Sequence, residues 1–210
     1  MRTRNFLKSR TALLLFVPVV LSLLAGVPTA AASSSGHAYP KPSSTQLKRM
    51  HHLEPYIRYF SSLSYGPQGA KVSADYIRAL VLTESAGHKA ARSGKGALGV
   101  TQIIPSTARI VVRELARDGY DFLYIDEGVF ERFEARDLYD PALNLLIACY
   151  LSATYHDKYD GDTELVVSAW NAGPGAVARY GNKPPPYKET RGMIGRMLGL
   201  IGYLETTDDL

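Results

Sequence analysis

Glu84 is the residue of this sequence best placed to act as an acid, because it closes an apolar helical segment. The apolar run 79–82 precedes it, and a glycine-containing loop follows. A carboxyl at the C-terminal end of a helix meets the negative end of the helix dipole, and apolar surroundings disfavour its charged form. Both effects raise the pKa, as a general acid at neutral pH requires. An ordinary solvated glutamate at a helix end is the alternative.

Polar residues that suit ligand binding follow Glu84 in several separate motifs. The loop after Glu84 contains Ser93 and ends in Gln102. A later segment, AWNAGPGAVARYG, contains Trp170 and Asn171. The sequence stretches that carry the pattern are ES at 84–85, GALGVTQ at 96–102, LYDPALNLLIACYL at 138–151, AWNAGPGAVARYG at 169–181 and PPYKETRG at 185–192.

In this order and spacing, the motifs resemble the soluble-type lytic transglycosylase family over residues 73–205. The resemblance implies a goose-type-lysozyme-like helical domain. It also implies cleavage of the β-1,4 bond between N-acetylmuramic acid and N-acetylglucosamine in peptidoglycan, without water, to give a 1,6-anhydro-muramoyl end. The family's catalytic carboxylate falls on Glu84. Its binding residues fall on Ser93, Gln102 and Asn171, with Trp170 where tyrosine is usual.

One carboxylate suffices for this chemistry, whereas ordinary glycosidases need two. Glu84 would protonate the leaving oxygen while the substrate's own N-acetyl group stabilises the sugar cation. The ionised Glu84 would then take the proton of the C6 hydroxyl as that hydroxyl attacks C1. An intramolecular nucleophile needs no second side chain. Ser93, Gln102 and Asn171 suit hydrogen bonds to N-acetyl or peptide groups, with loop-capping and turn roles as the alternative.

The sequence departs from the family pattern at two positions. Thr101 stands where GLMQ has a pocket-lining methionine, and Met193 stands where ETR-x-Tyr has tyrosine. In the family, that tyrosine hydroxyl lies near the catalytic acid, so its loss puts the rate in question. Tyr187 and Tyr203 are the candidates to replace it.

Helices are the elements that must position these residues. Cap residues and apolar spacing indicate the helix ends, with Ser73, Asp140 and Asp162 as N-caps. Pro55 is expected to break or restart the first helix. No strand alternation is evident, so the pattern predicts an all-α domain, and the family resemblance implies that it is lysozyme-like. The predicted helices span residues 45–65, 73–85, 105–119, 140–161, 162–173 and 188–205.

The segment 118–140 is an acidic insert within this pattern. It holds eight acidic and two basic residues among interspersed aromatics. A partly helical lobe or lid is one interpretation, and a solvated surface connection is the other.

The first 32 residues are typical of a secretory signal peptide, with four basic residues, a 16-residue apolar run at 11–26 and small residues at 30–32. We therefore expect export to the periplasm or cell envelope, with an uncleaved N-terminal anchor as the alternative. Residues 33–44 are predicted to be a polar linker and 45–210 the catalytic domain.

Charge argues against a nucleic-acid partner. Four of the 24 Lys and Arg residues and none of the 20 acids lie in 1–32, so residues 33–210 hold 20 of each. The chain therefore lacks the excess of basic residues that nucleic-acid binding needs. Peptidoglycan glycan strands are the partner that the family resemblance implies.

Neither a metal nor a cofactor is expected. The five histidines lack metal-ligand spacing. Cys149 lies among apolar residues at helical spacing, which favours a buried thiol over a catalytic one.

Three functions remain open on the sequence. The first is a lytic transglycosylase for wall remodelling or for clearing the path of an envelope-spanning machine, acting as a monomer. The second is a hydrolytic muramidase whose water is held by an acid of 118–140. The third is an inactive glycan-binding or scaffold protein, suggested by Met193.

Overall fold

The computed structural model describes residues 41–119, 121–207 and 209–210. The signal peptide expected over 1–32 and most of the linker expected over 33–44 lie outside the described residues. Within them, the secondary structure is helical, with a few isolated antiparallel bridges. The helices are α1 (Ser44–Ser62), α2 (Ala74–Glu84), α3 (Pro105–Asp118), α4 (Gly128–Arg132), a 3-10 turn (Ala135–Tyr139), α5 (Pro141–Lys158), α6 (Thr163–Ala172), α7 (Pro174–Arg179) and α8 (Lys188–Leu204).

The predicted cap residues set the helix ends. Ser73, Asp140 and Asp162 each accept a backbone N–H in the first turn of α2, α5 and α6. Gly119 ends α3 in the left-handed conformation, with φ 67°, which glycine adopts without a steric penalty. The all-α prediction is confirmed.

The prediction that Pro55 breaks or restarts the first helix is wrong, because α1 runs through it without interruption. Pro55 lies on the exposed face of α1. Water can therefore hydrate the carbonyl that proline leaves without a partner, which lowers the cost of proline inside a helix.

The central helix is α5, which packs against α1, α3 and α6. Every residue from Ala142 to Cys149 is buried, as expected of a helix that is apolar on all sides. The expectation that Cys149 is a buried, unpaired thiol is confirmed. Helices α2 and α6 both pack on α8, and this shared contact brings the end of α2 close to α6.

A buried ion pair joins α1 to α2. Arg78, 7% exposed, donates two hydrogen bonds to Glu54 at 2.8 and 2.7 Å and a third to Asp75 at 2.6 Å. Burial raises the pKa of Glu54, but the guanidiniums of Arg78 and Arg58 outweigh burial and hold it below its ordinary value. The charges are thus fully partnered, as buried charges must be.

The acidic insert packs on α1 and α3. Tyr124 lies edge-on to Tyr56 and Tyr59 of α1. Phe122 packs against Phe60, also of α1. The guanidinium of Arg109 on α3 lies over the ring of Phe133. Aromatic packing therefore anchors this segment to α1 and α3.

The two ends of the described chain meet. The ammonium of Lys41 lies 3.1 Å from the carboxylate of Asp209, and it also lies over the ring of Tyr203. In the part of the chain that the structure describes, no helix combines the length and apolar character needed to cross a membrane.

Candidate active site

Glu84 is the last residue of α2, and the chain turns sharply away after it. The hydroxyl of Ser85 donates to the Val100 carbonyl at 2.6 Å. Ala86 and Gly87 follow in the left-handed region, at φ 53° and 79°. A Cβ on Gly87 would overlap the side chain of Arg49, so glycine allows the turn to pack on α1.

Glu84 lines an open groove with two arms. The larger arm, about 580 Å³, is lined by Glu84, Ser85, His88 and Arg92 among others. The smaller arm, about 160 Å³, includes Trp170. Gln102 lines both, and the indole Nε1–H of Trp170 donates to Glu84 Oε1 at 2.9 Å. We call these two arms together the groove.

The environment of Glu84 confirms the expected rise in its pKa. Burial raises the pKa to about 7, against the opposing effects of the Trp170 hydrogen bond and the positive charge of Arg196. Glu189 adds a smaller increase through its negative charge. A carboxyl with this pKa is present in both protonation states near neutral pH, so it can donate a proton and accept one back.

Asn144 of α5 holds the loop that carries Gln102. Its Oδ1 accepts from the backbone N–H and the hydroxyl of Thr101, and its Nδ2 donates to the carbonyls of Leu98 and Leu138. Thr101 stands where the family pattern has a pocket-lining methionine, and it is fully buried. A buried hydroxyl needs a partner, and Asn144 provides it.

Gln102 adopts a left-handed conformation with φ 54°, an uncommon one for a residue other than glycine. Its side-chain amide donates to the Gly99 carbonyl at 2.8 Å. Gly99 itself has φ 79°, and a Cβ there would overlap Leu138 O and Asn144. The loop is therefore tightly packed, and it fixes Gln102 between the arms of the groove.

Ser93 and Asn171 are held beside the groove but are not among the residues that line its two arms. The Ser93 hydroxyl oxygen accepts from the N–H of Ala97 at 3.0 Å, which is the loop-capping role. The side-chain carbonyl of Asn171 accepts from the hydroxyl of Thr190 at 2.6 Å. The Asn171 amide also interacts with the carboxylate of Glu189 and helps to lower its pKa.

Neither tyrosine proposed to replace the missing hydroxyl bonds to Glu84. Met193 is buried, 2% exposed. Tyr187 is exposed and packs edge-on against Tyr180, and the hydroxyl of Tyr203 donates to Asp209. Trp170 is the residue that hydrogen-bonds the carboxyl instead.

Several groove residues were not identified from the sequence. Ile104 and Tyr155 line the smaller arm, and His88 and Arg92 line the larger one. Helical spacing could have indicated Tyr155, because it lies one turn after Leu151 on a predicted helix, and both residues line the smaller arm. Among the described residues, no group of three or more His, Cys, Asp or Glu side chains could hold a metal ion.

Comparison with known proteins gives consistent results. The family described as Transglycosylase SLT domain matches residues 65–191. The soluble lytic murein transglycosylase of Escherichia coli (strain K12) is 26% identical over 147 residues, which cover 64% of this chain and 21% of that protein. The putative soluble lytic murein transglycosylase of Haemophilus influenzae is 25% identical over 162 residues, covering 71% and 25%.

Solved structures share the fold. The 70-kDa soluble lytic transglycosylase of Escherichia coli matches with a TM-score of 0.56 and 25% identity, covering 77% of this chain and 27% of that one. The lytic transglycosylase Slt of Pseudomonas aeruginosa matches with a TM-score of 0.55 and 21% identity, covering 76% and 25%. The chain thus spans about a quarter or less of the length of these relatives. Because the family match extends over more than half of its length, the chain belongs to the Transglycosylase SLT domain family.

Proposed function

We propose that this protein is a peptidoglycan lytic transglycosylase that cleaves the β-1,4 bond between N-acetylmuramic acid and N-acetylglucosamine and leaves 1,6-anhydro-muramoyl ends. The observation that carries the proposal is the state of Glu84: a half-buried carboxyl, facing a groove, with a pKa of about 7. Membership of the SLT family supports the choice of a murein substrate.

Glu84 acts twice in the proposed reaction. The protonated carboxyl gives its proton to the glycosidic oxygen as the bond from that oxygen to C1 of the muramic acid breaks. The bonding electrons leave with the oxygen, and the substrate's N-acetyl group stabilises the cation. The Glu84 carboxylate then takes the proton from the C6 hydroxyl as its oxygen bonds to C1. Glu84 ends protonated again, so no external acid or base is consumed.

Gln102, Trp170, Ser93 and Asn171 bind the glycan in this proposal. Gln102 spans both arms of the groove, which suits a residue that contacts the sugars on both sides of the cleaved bond. Trp170 supplies an indole face in the smaller arm, and the amide of Asn171 supplies donors for N-acetyl or peptide carbonyls.

A hydrolytic muramidase is the alternative that needs a second carboxylate to hold water. The acids of the insert are poorly placed for that role, because Asp126, Glu134 and Asp137 line a separate cavity of about 240 Å³. Glu189 does influence Glu84, but its carboxylate bonds to Lys95 at 3.0 Å. This arrangement favours the one-carboxylate mechanism.

Digestion of purified peptidoglycan in ¹⁸O-water separates the two reactions. We expect anhydro ends without label, since intramolecular attack incorporates no water. Label at C1 of the new muramic acid ends would instead mean hydrolysis.

A variant with five insert acids replaced by amides gives a second test, and the same anhydro products should dominate. If its cleavage rate fell by about 10²–10⁴-fold, the usual value of a general base, one of these acids would have that role. The five acids are Asp121, Asp126, Glu127, Glu131 and Glu134.

An inactive glycan-binding or scaffold role is the remaining alternative. Glu84→Gln keeps the size and polarity of the side chain but removes the acid, so we expect nearly complete loss of cleavage with retained glycan binding. If the wild-type protein binds peptidoglycan and releases no fragments, the inactive role replaces our proposal.

The proposed substrate lies in the bacterial envelope, so we also propose export through the signal-like segment 1–32. N-terminal sequencing of envelope-localised protein should find a mature chain that begins near Ser33. An intact chain from Met1 in the membrane fraction would favour the anchor. We further propose that the domain acts as a monomer. Co-purification from the envelope tests whether it associates with an envelope-spanning machine.

A further inference from the structure

The hydrogen bond between Trp170 and Glu84 has a fixed chemical direction. The indole N–H donates to Oε1 at 2.9 Å, and an indole nitrogen has no lone pair with which to accept. A protonated carboxyl has one acceptor oxygen and one hydroxyl. The bond persists on protonation of Glu84 only if Oε1 remains the acceptor oxygen, and in that case the proton is on Oε2.

Among the described residues, none makes a hydrogen bond to Oε2. Trp170 provides the one hydrogen bond that the Glu84 carboxyl makes within the described part of the chain. The other neighbours act through charge or line the same arm without bonding to the carboxyl. They are Arg196 and Glu189 on α8, Tyr76 on α2, and His88 and Arg92 in the larger arm.

We propose that Trp170 is a positioning residue that directs the proton of Glu84: its donor-only N–H holds Oε1 as the acceptor, so that the transferable proton resides on Oε2. The kinetic consequences of this inference rest on the proposed function, whereas the location of the proton does not. In the proposed reaction, the proton leaves from Oε2 to the glycosidic oxygen, and the proton of the C6 hydroxyl returns to Oε2.

Tryptophan differs here from the tyrosine that is usual at this position of the motif. A tyrosine hydroxyl both donates and accepts, so it can accept the acid's O–H and hold the proton in a protein hydrogen bond. Trp170 cannot compete for the proton in this way. When the proton has left, the same N–H donates to a carboxylate, and such charge-assisted bonds are the stronger kind. The contact therefore favours release of the proton.

The chain contains one tryptophan, so a sample with ¹⁵N-labelled tryptophan gives one indole N–H signal. We would follow this signal from about pH 5 to pH 9 in the purified full chain. We expect it to titrate with Glu84, whose pKa is about 7. At low pH it should stay close to its position in Glu84→Gln, whose side-chain carbonyl also accepts, and far from its position in Glu84→Ala. A low-pH signal at the Glu84→Ala position, or no titration, would overturn the proposal.

Replacement of the indole by benzothiophene, with 3-benzothienylalanine incorporated for the single tryptophan, removes the N–H and keeps the ring shape. We expect kcat on peptidoglycan to fall about 10- to 100-fold, the range for a lost hydrogen bond to a charged group. KM should change little, and the alkaline limb of the pH profile should move to higher pH because the N–H lowers the pKa of Glu84.

Trp170→Tyr is the conservative variant. We expect its kcat to lie between that of the benzothienylalanine protein and that of wild type. An analogue protein with unchanged kcat and an unchanged alkaline limb contradicts a positioning role. Wild-type protein without turnover would reject the proposed function, while the indole signal still decides where the proton lies.

Discussion

Glu84→Gln should make the protein more stable at alkaline pH while it removes the proposed catalytic acid. The pKa of Glu84 is raised from 4.5 to about 7 in the folded protein. Between these two values the folded state binds a proton that the unfolded state does not bind. The free energy of unfolding therefore falls as the pH rises through this window, and the full penalty is present above about pH 7.

The size of the effect follows from the shift. A difference of about 2.5 pH units at about 1.4 kcal/mol each gives about 3.5 kcal/mol. Glu84 is half-buried rather than fully enclosed, so solvent screening reduces the expected gain to about 2–3 kcal/mol. The glutamine carbonyl can still accept from Trp170, so the variant avoids the charge without losing the hydrogen bond.

Urea unfolding at a series of pH values measures this directly. The difference in the free energy of unfolding between Glu84→Gln and wild type should be near zero at pH 4 and should grow to about 2–3 kcal/mol at pH 8. Glu131→Gln is the matched control, because this glutamate is exposed on α4 and does not line the groove. It should show no such gain. Parallel stability curves for Glu84→Gln and wild type would refute the assignment of a buried, charge-penalised acid.

Three further variants test how the fold supports the site, each by urea unfolding at pH 7. Glu54→Ala leaves Arg78 buried without its main partner and should cost about 3–5 kcal/mol. Asn144→Ala leaves several buried polar groups unpaired and should cost about 3 kcal/mol or more. Gly99→Ala should cost clearly more than Gly181→Ala. Both glycines have positive φ, but only a Cβ at 99 meets other atoms, so the control should lose only about 1–2 kcal/mol.

Each of these expectations has a clear contrary result. A cost below about 1 kcal/mol for Glu54→Ala would mean that water reaches Arg78. Equal losses for the two glycine variants would mean that the loop at 99 can move away from Asn144. A stable Asn144→Ala protein with an unchanged KM would remove the role of Asn144 in holding Gln102.

Local chemistry explains which features could be predicted from the sequence. Ser73, Asp140 and Asp162 cap helices through contacts within three residues, so their neighbours reveal them. Burial is the largest cause of the raised pKa of Glu84, and the apolar turn before it indicated that burial. The same local reasoning was wrong for Pro55, because its effect depends on which face of α1 meets water.

The contacts that complete the site join distant parts of the chain. Trp170 reaches Glu84 across 86 residues, and Asn144 reaches Thr101 across 43. No local pattern specifies that an indole N–H, rather than a tyrosine hydroxyl, meets the acid. That contact follows from the packing of α2 and α6 on α8, which depends on the whole core.

The ion pair between Lys41 and Asp209 holds the two ends of the described chain side by side. A domain with adjacent ends can be inserted into a loop of a host protein without stretching either one. The same geometry permits circular permutation: a short linker could join the ends, and new termini could open elsewhere on the surface. The exposed residues Leu123, Asp126 and Glu127 of the insert do not line the groove, so this stretch is a natural place for that opening.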